Sequence, residues 1–217
     1  MKAILFFLLL CGVRCMLAHG QQSGPVSLEA AVQQLDKASA VKDYEVLAGV
    51  FGQLTQAHPA DWLPWYYAAY CNTRIAYLYR ETPERITSYA ERAMVLVDKA
   101  KALLTAGTSS RALSEVLCIS SWAQRAMILV SPIKNGRRYS GLSAEDAAKA
   151  KQLAPDNPRA WYMEALGKYY TPVLFGGDKD KARQLCREAL RLLEASSGNR
   201  RAPHWGRADV MRLLQAS

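Results

Sequence analysis

Histidine and cysteine are scarce in this chain, and the scarcity removes several kinds of chemistry at once. Three histidines occur in 217 residues. His19 falls in an N-terminal leader, which leaves His58 and His204, neither with a His, Cys or carboxylate companion at metal-ligand spacing. His58 precedes Pro59 and reads as a loop or packing residue; His204, in "APHWGRAD", reads as a brace for the last helix. Beyond the leader only Cys71, Cys118 and Cys186 remain, an odd and widely spaced set. A disulfide framework would use an even and denser one, so buried free thiols are expected. The chain has no CxxC pair, GxSxG elbow, HExxH pair or phosphate loop. Its carboxylates alternate with Lys and Arg, as in "ERITSYAER" and "DKDKARQLCREAL", which is the pattern of a solvated helix face. The sequence therefore predicts no catalytic residues, no metal and no cofactor: a protein that binds rather than catalyses.

Long apolar runs are also missing, except at the start. "MKAILFFLLLCGVRCMLAHG" has a basic beginning at Lys2, an apolar run from Ala3 to Leu10, and small residues near its end. This is the layout of a secretory signal peptide, and its apolar part is too short to span a bilayer. Residues 1–20 are read as the leader, cleaved near Gly20, and 21–217 as a single domain that is secreted or periplasmic, with no transmembrane span. The alternative is an envelope protein lipid-anchored through Cys15, although Arg14 stands where lipidation wants a small residue. Removing Lys2 and Arg14 lowers the formal charge from +9 to +7. That balance attracts acidic partners or anionic surfaces. The short clusters "KNGRR" and "NRRAPHWGR" read as solvated loop charges, so nucleic acid is not expected as a partner.

Strand signals are almost absent. Apolar residues recur at three- and four-residue spacing between clusters of Pro, Gly, Asn and Ser. Nine helices follow: one from about Ser27, then about 41–57, 62–80, one from Pro83, 110–130, 143–154, 158–170, 178–195 and 205–215. "SPIKNGRRYSGL" and "TPVLFGG" fall between them as loops. "HPADWLPWYYAAY" and "APDNPRAWYMEAL" superpose when shifted by 96 residues, matching Pro59 with Pro155, Trp65 with Trp161, Tyr66 with Tyr162 and Ala69 with Ala165. Further, Leu47, Phe51 and Leu54 share a four-then-three spacing with Ala93, Val97 and Ala100, with Ser143, Ala147 and Ala150, and with Ala182, Cys186 and Ala189. Such residues lie on one helix face and let a partner helix approach closely. In "FGGDKDKA" the carboxylate of Asp178 can cap the following helix where a phosphate would otherwise sit, so the paired glycines read as a turn between helices.

On these residues the chain resembles tetratricopeptide repeat proteins: Trp65, Tyr66 and Ala69 open one unit, Trp161, Tyr162 and Ala165 another, and Pro59 and Pro155 close units. The implied fold is all-α, with antiparallel helix pairs stacked as a short solenoid of about four degenerate helix-turn-helix units. The spacing from Leu47 to Ala93 to Ser143 to Ala182 is 46, 50 and 39 residues, against about 34 in standard repeats. A narrower resemblance, to secreted tetratricopeptide-like proteins of Bacteroidetes-type bacteria, rests on Asn157–Arg159, Thr171–Pro172 and Phe175–Gly177. The first helix of each pair lines a concave groove in such arrays. The resemblance thus implies a partner-binding face of Tyr66, Tyr70, Thr73, Arg74 and Tyr77, with Arg159, Tyr162, Leu166, Tyr169 and Tyr170 from the other unit. An aromatic stripe at helical spacing is more often core than binding surface, so a packed core is the alternative reading of the same residues. The function implied is a non-enzymatic scaffold that holds a protein or extended peptide in the cell envelope. The alternative is a periplasmic small-molecule-binding protein resembling the T component of TRAP-type transporters.

Overall fold

Side chains written into the sequence start most of the helices. In the computed structural model, which describes residues 26–104, 109–196 and 199–216, the hydroxyl of Ser27 accepts from the Ala30 N–H and opens α1, Leu28–Leu35. Asp43 reaches back to the N–H groups of Ser39 and Ala40 at the head of α2, Val41–Ala57. Those two hydrogen bonds hold its carboxyl below the usual carboxylate range. Asp61, Ser109, Asn157 and Asp178 cap α3 (Trp62–Leu78), α5 (Ser110–Val130), α7 (Pro158–Tyr170) and α8 (Lys179–Ala195), each accepting from a first-turn N–H. In α4 (Pro83–Leu103) and α6 (Pro132–Leu153) a proline takes the first position, where its missing N–H leaves no bond unmade. Thr82 stands at the expected cap of α4, but its side chain makes no capping bond. The predicted leader at residues 1–20 lies outside the described residues.

The described residues form nine α-helices and no strand. Each helix packs on the next in sequence, and α5 also touches α3 and α7. The chain is therefore an all-α solenoid of adjacent helix pairs, with α3, α5 and α7 as an inner row and α2, α4, α6 and α8 outside it. The expected packing faces are all buried: Leu47, Phe51 and Leu54 on α2, Ala93, Val97 and Ala100 on α4, Ser143, Ala147 and Ala150 on α6, Ala182, Cys186 and Ala189 on α8. Small side chains let α5 and α6 approach until Ser121 and Ser143 hydrogen-bond across them and Ser114 donates to the Ala150 carbonyl. The central α5 is long and apolar enough to cross a membrane, yet 67% of that stretch is buried within the bundle. Its apolarity is that of a core helix.

One expected loop is a helix instead. Residues 132–142 carry two glycines and three cations and lack a clear apolar period, yet they form the first half of α6. Tertiary contacts outweigh the weak local propensity. Tyr139 is buried in a satellite cluster with Ala76, Ile86, Ala90, Ala126 and Met127, and Asn135 donates to the Met127 carbonyl over 2.7 Å.

"TPVLFGG" is a loop as expected, and a tightly specified one. After Pro172, a single 3-10 turn (Val173–Phe175) ends at Gly176, whose φ of 89° lies in the left-handed region that glycine adopts freely. A Cβ on Gly177 would stand 1.7 Å from the Thr171 carbonyl oxygen, a backbone atom that cannot move aside. Gly177→Ala is therefore expected to cost roughly 3 kcal/mol, as a backbone clash does. Gly136→Ala in α6, where a Cβ meets nothing within 4 Å, is expected to gain about 0.5–1 kcal/mol. Urea denaturation of the two variants measures both signs.

Candidate ligand cleft under the C-terminal strap

The inner row does present a face of aromatic side chains, and the chain covers much of that face itself. Residues 199–206 run across it as a strap and lead into α9, Arg207–Ala216. The helix starts two residues later than the sequence predicts, because Gly206 turns the chain with a φ of 117°. Trp205, immediately before it, lies flat on Trp122 of α5, with ring centroids 5.1 Å apart and planes at 16°, and against Tyr70 of α3 at 5.0 Å. Its indole N–H donates to the Tyr66 hydroxyl over 2.7 Å. Tyr67 donates to the Arg201 carbonyl, Arg74 pairs with Asp209 at 2.8 Å, and Tyr169 donates to the Ala216 carbonyl. Strap and helix are thus tied to α3, α5 and α7 in turn.

The ten residues expected to face an open groove therefore have different fates. Tyr66, Tyr70, Thr73, Arg159, Tyr162 and Leu166 are buried, and Tyr70 and Tyr162 are each only 5% exposed. Arg74, Tyr77 and Tyr169 are half-buried, and Tyr170 alone of the ten is exposed. Tyr66, Tyr70, Arg74 and Arg159 converge on the strap; Tyr77 and Tyr162 both pack on Trp122. The Thr73 hydroxyl turns back to the Ala69 carbonyl, and Leu166 belongs to the core. The expected open groove is closed because Trp205 supplies, from a distant part of the chain, the apolar partner this face needs. Burial pushes the phenols of Tyr66, Tyr70, Tyr77 and Tyr162 well above their ordinary pKa, so they remain neutral donors.

Under the strap lies an ion pair almost sealed from water. Arg159 and Glu115 meet in a two-pronged arrangement, Nε to Oε2 and Nη2 to Oε1, both at 2.6 Å. Arg111 adds a third cationic contact to Glu115, and Arg159 also donates to the Trp205 carbonyl. Burial alone would pull the Arg159 pKa down, but the adjacent carboxylate more than offsets this and the guanidinium stays charged.

The thiols are also out of reach. Cys71, Cys118 and Cys186 are free and buried, as expected from their spacing. Burial raises all three, Cys186 to about 11. Thiolate is the reactive form, so a raised pKa and burial both act against reaction. Iodoacetamide at neutral pH is expected to leave a native protein lacking residues 1–20 unmodified and to label its three cysteines after unfolding in urea, as read by intact mass.

Beside the strap a cleft of about 690 Å³ remains open between the α1–α2 turn, α3 and the start of α9. Tyr44, Tyr67, Tyr70 and Trp205 form its aromatic walls, with Val32 and Leu35 below. Arg80, Arg207 and Arg212 stand around it, each held among the described residues by a single contact to one carboxylate and each more than half exposed. His204 joins the rim, with Nε2 2.8 Å from Asp36. Within the wall, the Arg74 Nε–H is buried without a hydrogen-bond partner among the described residues. A cleft of this kind can hold a flat apolar molecule against rings while guanidinium groups meet its acidic substituents. No group of His, Cys, Asp and Glu among the described residues could hold a metal ion by itself. Sequence reasoning named Tyr70 and Arg74 of this cleft but not Trp205, Tyr44 or the arginines of α9. The one sequence sign of Trp205 is its place in "PHWG", a large aromatic in a stretch without helical period.

No family model matches the chain, and no curated protein does. Among solved structures, its fold is similar to that of the HusA haemophore from Porphyromonas gingivalis, with a TM-score of 0.77. The two sequences are 31% identical over 91% of this chain and 94% of the other.

Proposed function

Since the chain belongs to the family of the HusA haemophore, we propose that it is an exported, non-enzymatic carrier that binds haem in the cleft beside its C-terminal strap. The carrying observation is the cleft itself, which combines aromatic walls, an orphaned guanidinium N–H and three weakly held arginines. Its volume lies within the usual range for ligand sites, about 300–1,000 Å³. Haem is a flat, largely apolar ring with carboxylate arms. The half-exposed Trp205 offers it ring contact, with the buried Tyr70 and Tyr67 in the same wall, and Arg80, Arg207 and Arg212 offer its carboxylates charge-assisted hydrogen bonds. Exposed ion pairs contribute little, about 0–1 kcal/mol, so Arg207 and Arg212 can leave Glu194 and Asp209 at small cost. Of the residues first expected to bind a partner, Tyr70 and Arg74 keep that role here. The expected leader at residues 1–20 supports export to the periplasm or beyond.

Titration with haemin tests this. A shifted and sharpened Soret band, saturating at one equivalent, is the expected result. Arg207→Ala with Arg212→Ala should weaken binding about 10-fold, as loss of charge-assisted contacts does, and should leave binding of a porphyrin dimethyl ester unchanged. No Soret change at micromolar haemin would sink the reading.

A second reading, a tetratricopeptide-like scaffold for a protein or extended peptide, has one observation in its favour. The strap already covers that face, and the helix that follows it, α9, packs on α8 and bonds to Arg74 of α3 and Tyr169 of α7. A partner helix on the same face must displace the strap and uncover Trp122 and Trp205, with a red shift in tryptophan emission. A partner that binds without that shift is not in the groove.

A further inference from the structure

The loop between α7 and α8 exposes what a soluble fold usually hides. Val173, Leu174 and Phe175 are 83%, 87% and 74% exposed, and Tyr170 stands beside them at 65%. Single exposed apolar residues are ordinary, but a contiguous exposed apolar patch marks an interaction site. Nor is the loop slack. The N–H groups of Phe175 and Gly177 both bond to the Pro172 carbonyl, Asp178 N–H bonds to the Lys168 carbonyl, and the Lys168 ammonium donates to the Gly176 carbonyl. The close fit of Gly177 against Thr171 locks the same turn. The fold thus holds three large apolar side chains outward on a fixed knuckle.

A second apolar tip shares that edge. Helices α5 and α7 run in the same direction, since α6 joins them antiparallel to both, and Arg125 of α5 donates to the Leu166 carbonyl of α7 over 2.9 Å. Five residues further on, both helices end at one edge of the solenoid, at Val130 and at Tyr170–Thr171. There Pro132 and Ile133 open α6, with Ile133 88% exposed. The residues around the two tips are cationic. Lys134, Arg137 and Arg138 are exposed, and no acidic residue occurs anywhere in 124–141. Lys168 and Lys179 flank the α7–α8 knuckle. The nearby carboxylates are engaged, Asp178 as the cap of α8 and Asp180 in a pair with Arg183.

We propose that this edge is a docking surface for an anionic lipid bilayer, with Val173, Leu174, Phe175 and Ile133 entering the acyl boundary while Lys134, Arg137, Arg138, Lys168 and Lys179 meet lipid phosphates. Apolar tips ringed by cations without free carboxylates are complementary to such an interface, where burial and charge attraction add. A protein groove would accept the apolar tips, but it would give no reason for five cations around them. The cleft opens between α1, α3 and α9, so docking by this edge does not use the cleft residues.

Flotation of the leaderless protein with vesicles tests the proposal, without haem. Binding is expected to phosphatidylcholine–phosphatidylglycerol vesicles and to be far weaker to pure phosphatidylcholine. Leu174→Ser with Phe175→Ser should reduce binding at least ~10-fold, since full exposure makes the folded state indifferent to them and burial in the interface does not. Arg137→Gln with Arg138→Gln should reduce it by roughly ten-fold as well and flatten its salt dependence. A Phe175→Trp variant should show blue-shifted emission quenched by brominated lipid, with circular dichroism unchanged. The proposal is overturned if the parent protein does not float with anionic vesicles, or if the Leu174 and Phe175 changes leave flotation intact. It is equally overturned if sedimentation shows a dimer that those changes dissolve, because a second copy would then cover the patch.

Discussion

Arg159→Met should destabilise the protein by about 3–5 kcal/mol, the usual cost of removing one partner of a buried pair. The two side chains are 4% and 3% exposed, so solvent screening does little to soften the loss. Methionine fills much of the space but leaves Glu115 with Arg111 alone, at 3.1 Å and from a half-buried position. A carboxylate in that setting must take up a proton or draw in water, and both work against the fold. Met at 159 with Leu at 115 should recover most of the stability, because an apolar pair of similar volume has no charge to desolvate. Urea denaturation followed by circular dichroism measures both. A single-variant cost below about 1 kcal/mol would mean that the strap and α7 are held by packing alone.

Trp205→Ala should act on stability and ligand together. The indole stacks on Trp122, tilts against Tyr70 and donates to Tyr66, and all three contacts vanish at once. Truncation of buried aromatics costs about 3–5 kcal/mol, and a half-buried Trp205 belongs at about 3. The same ring is a wall of the cleft, so haemin affinity should fall by at least ~10-fold. Trp205→Phe separates the two contributions. It keeps the stack but leaves the Tyr66 hydroxyl without its donor, for a cost of about 1 kcal/mol. Were Trp205→Ala to bind haemin like the parent, the ligand would have to lie elsewhere.

The helical framework was legible because it depends on neighbours in sequence. Ser27 and Asp178 sit where a cap is needed, and the spacing of Ala93, Val97 and Ala100 already shows which face is buried. The 132–142 segment was not legible in that way, since its helix is stabilised by Tyr139 and Asn135 reaching residues of α3, α4 and α5. The aromatic stripe on α3 posed the harder problem. Tyr66 and Tyr70 at helical spacing fit an exposed groove as well as a core, and what decides between them is Trp205, which periodicity cannot place. In consequence the sequence marked the aromatic face of α3 and could not show that residues 199–206 lie on it. The cleft beside the strap was beyond it for the same reason.

The strap also changes the connectivity of the whole molecule. In an open helical array each unit touches only those next to it, and its ends fray independently. Here Tyr67 with Arg201, Arg74 with Asp209 and Trp205 with Tyr66 join residues 134, 135 and 139 positions apart, and His204 with Asp36 spans 168. Arg201 further pairs with Glu29 on α1. The first helix and the last are thereby fastened to one another, so the array behaves less as a row than as a loop with a clasp. Fraying at one terminus then loosens the other, and melting becomes an event of the entire chain rather than of its ends.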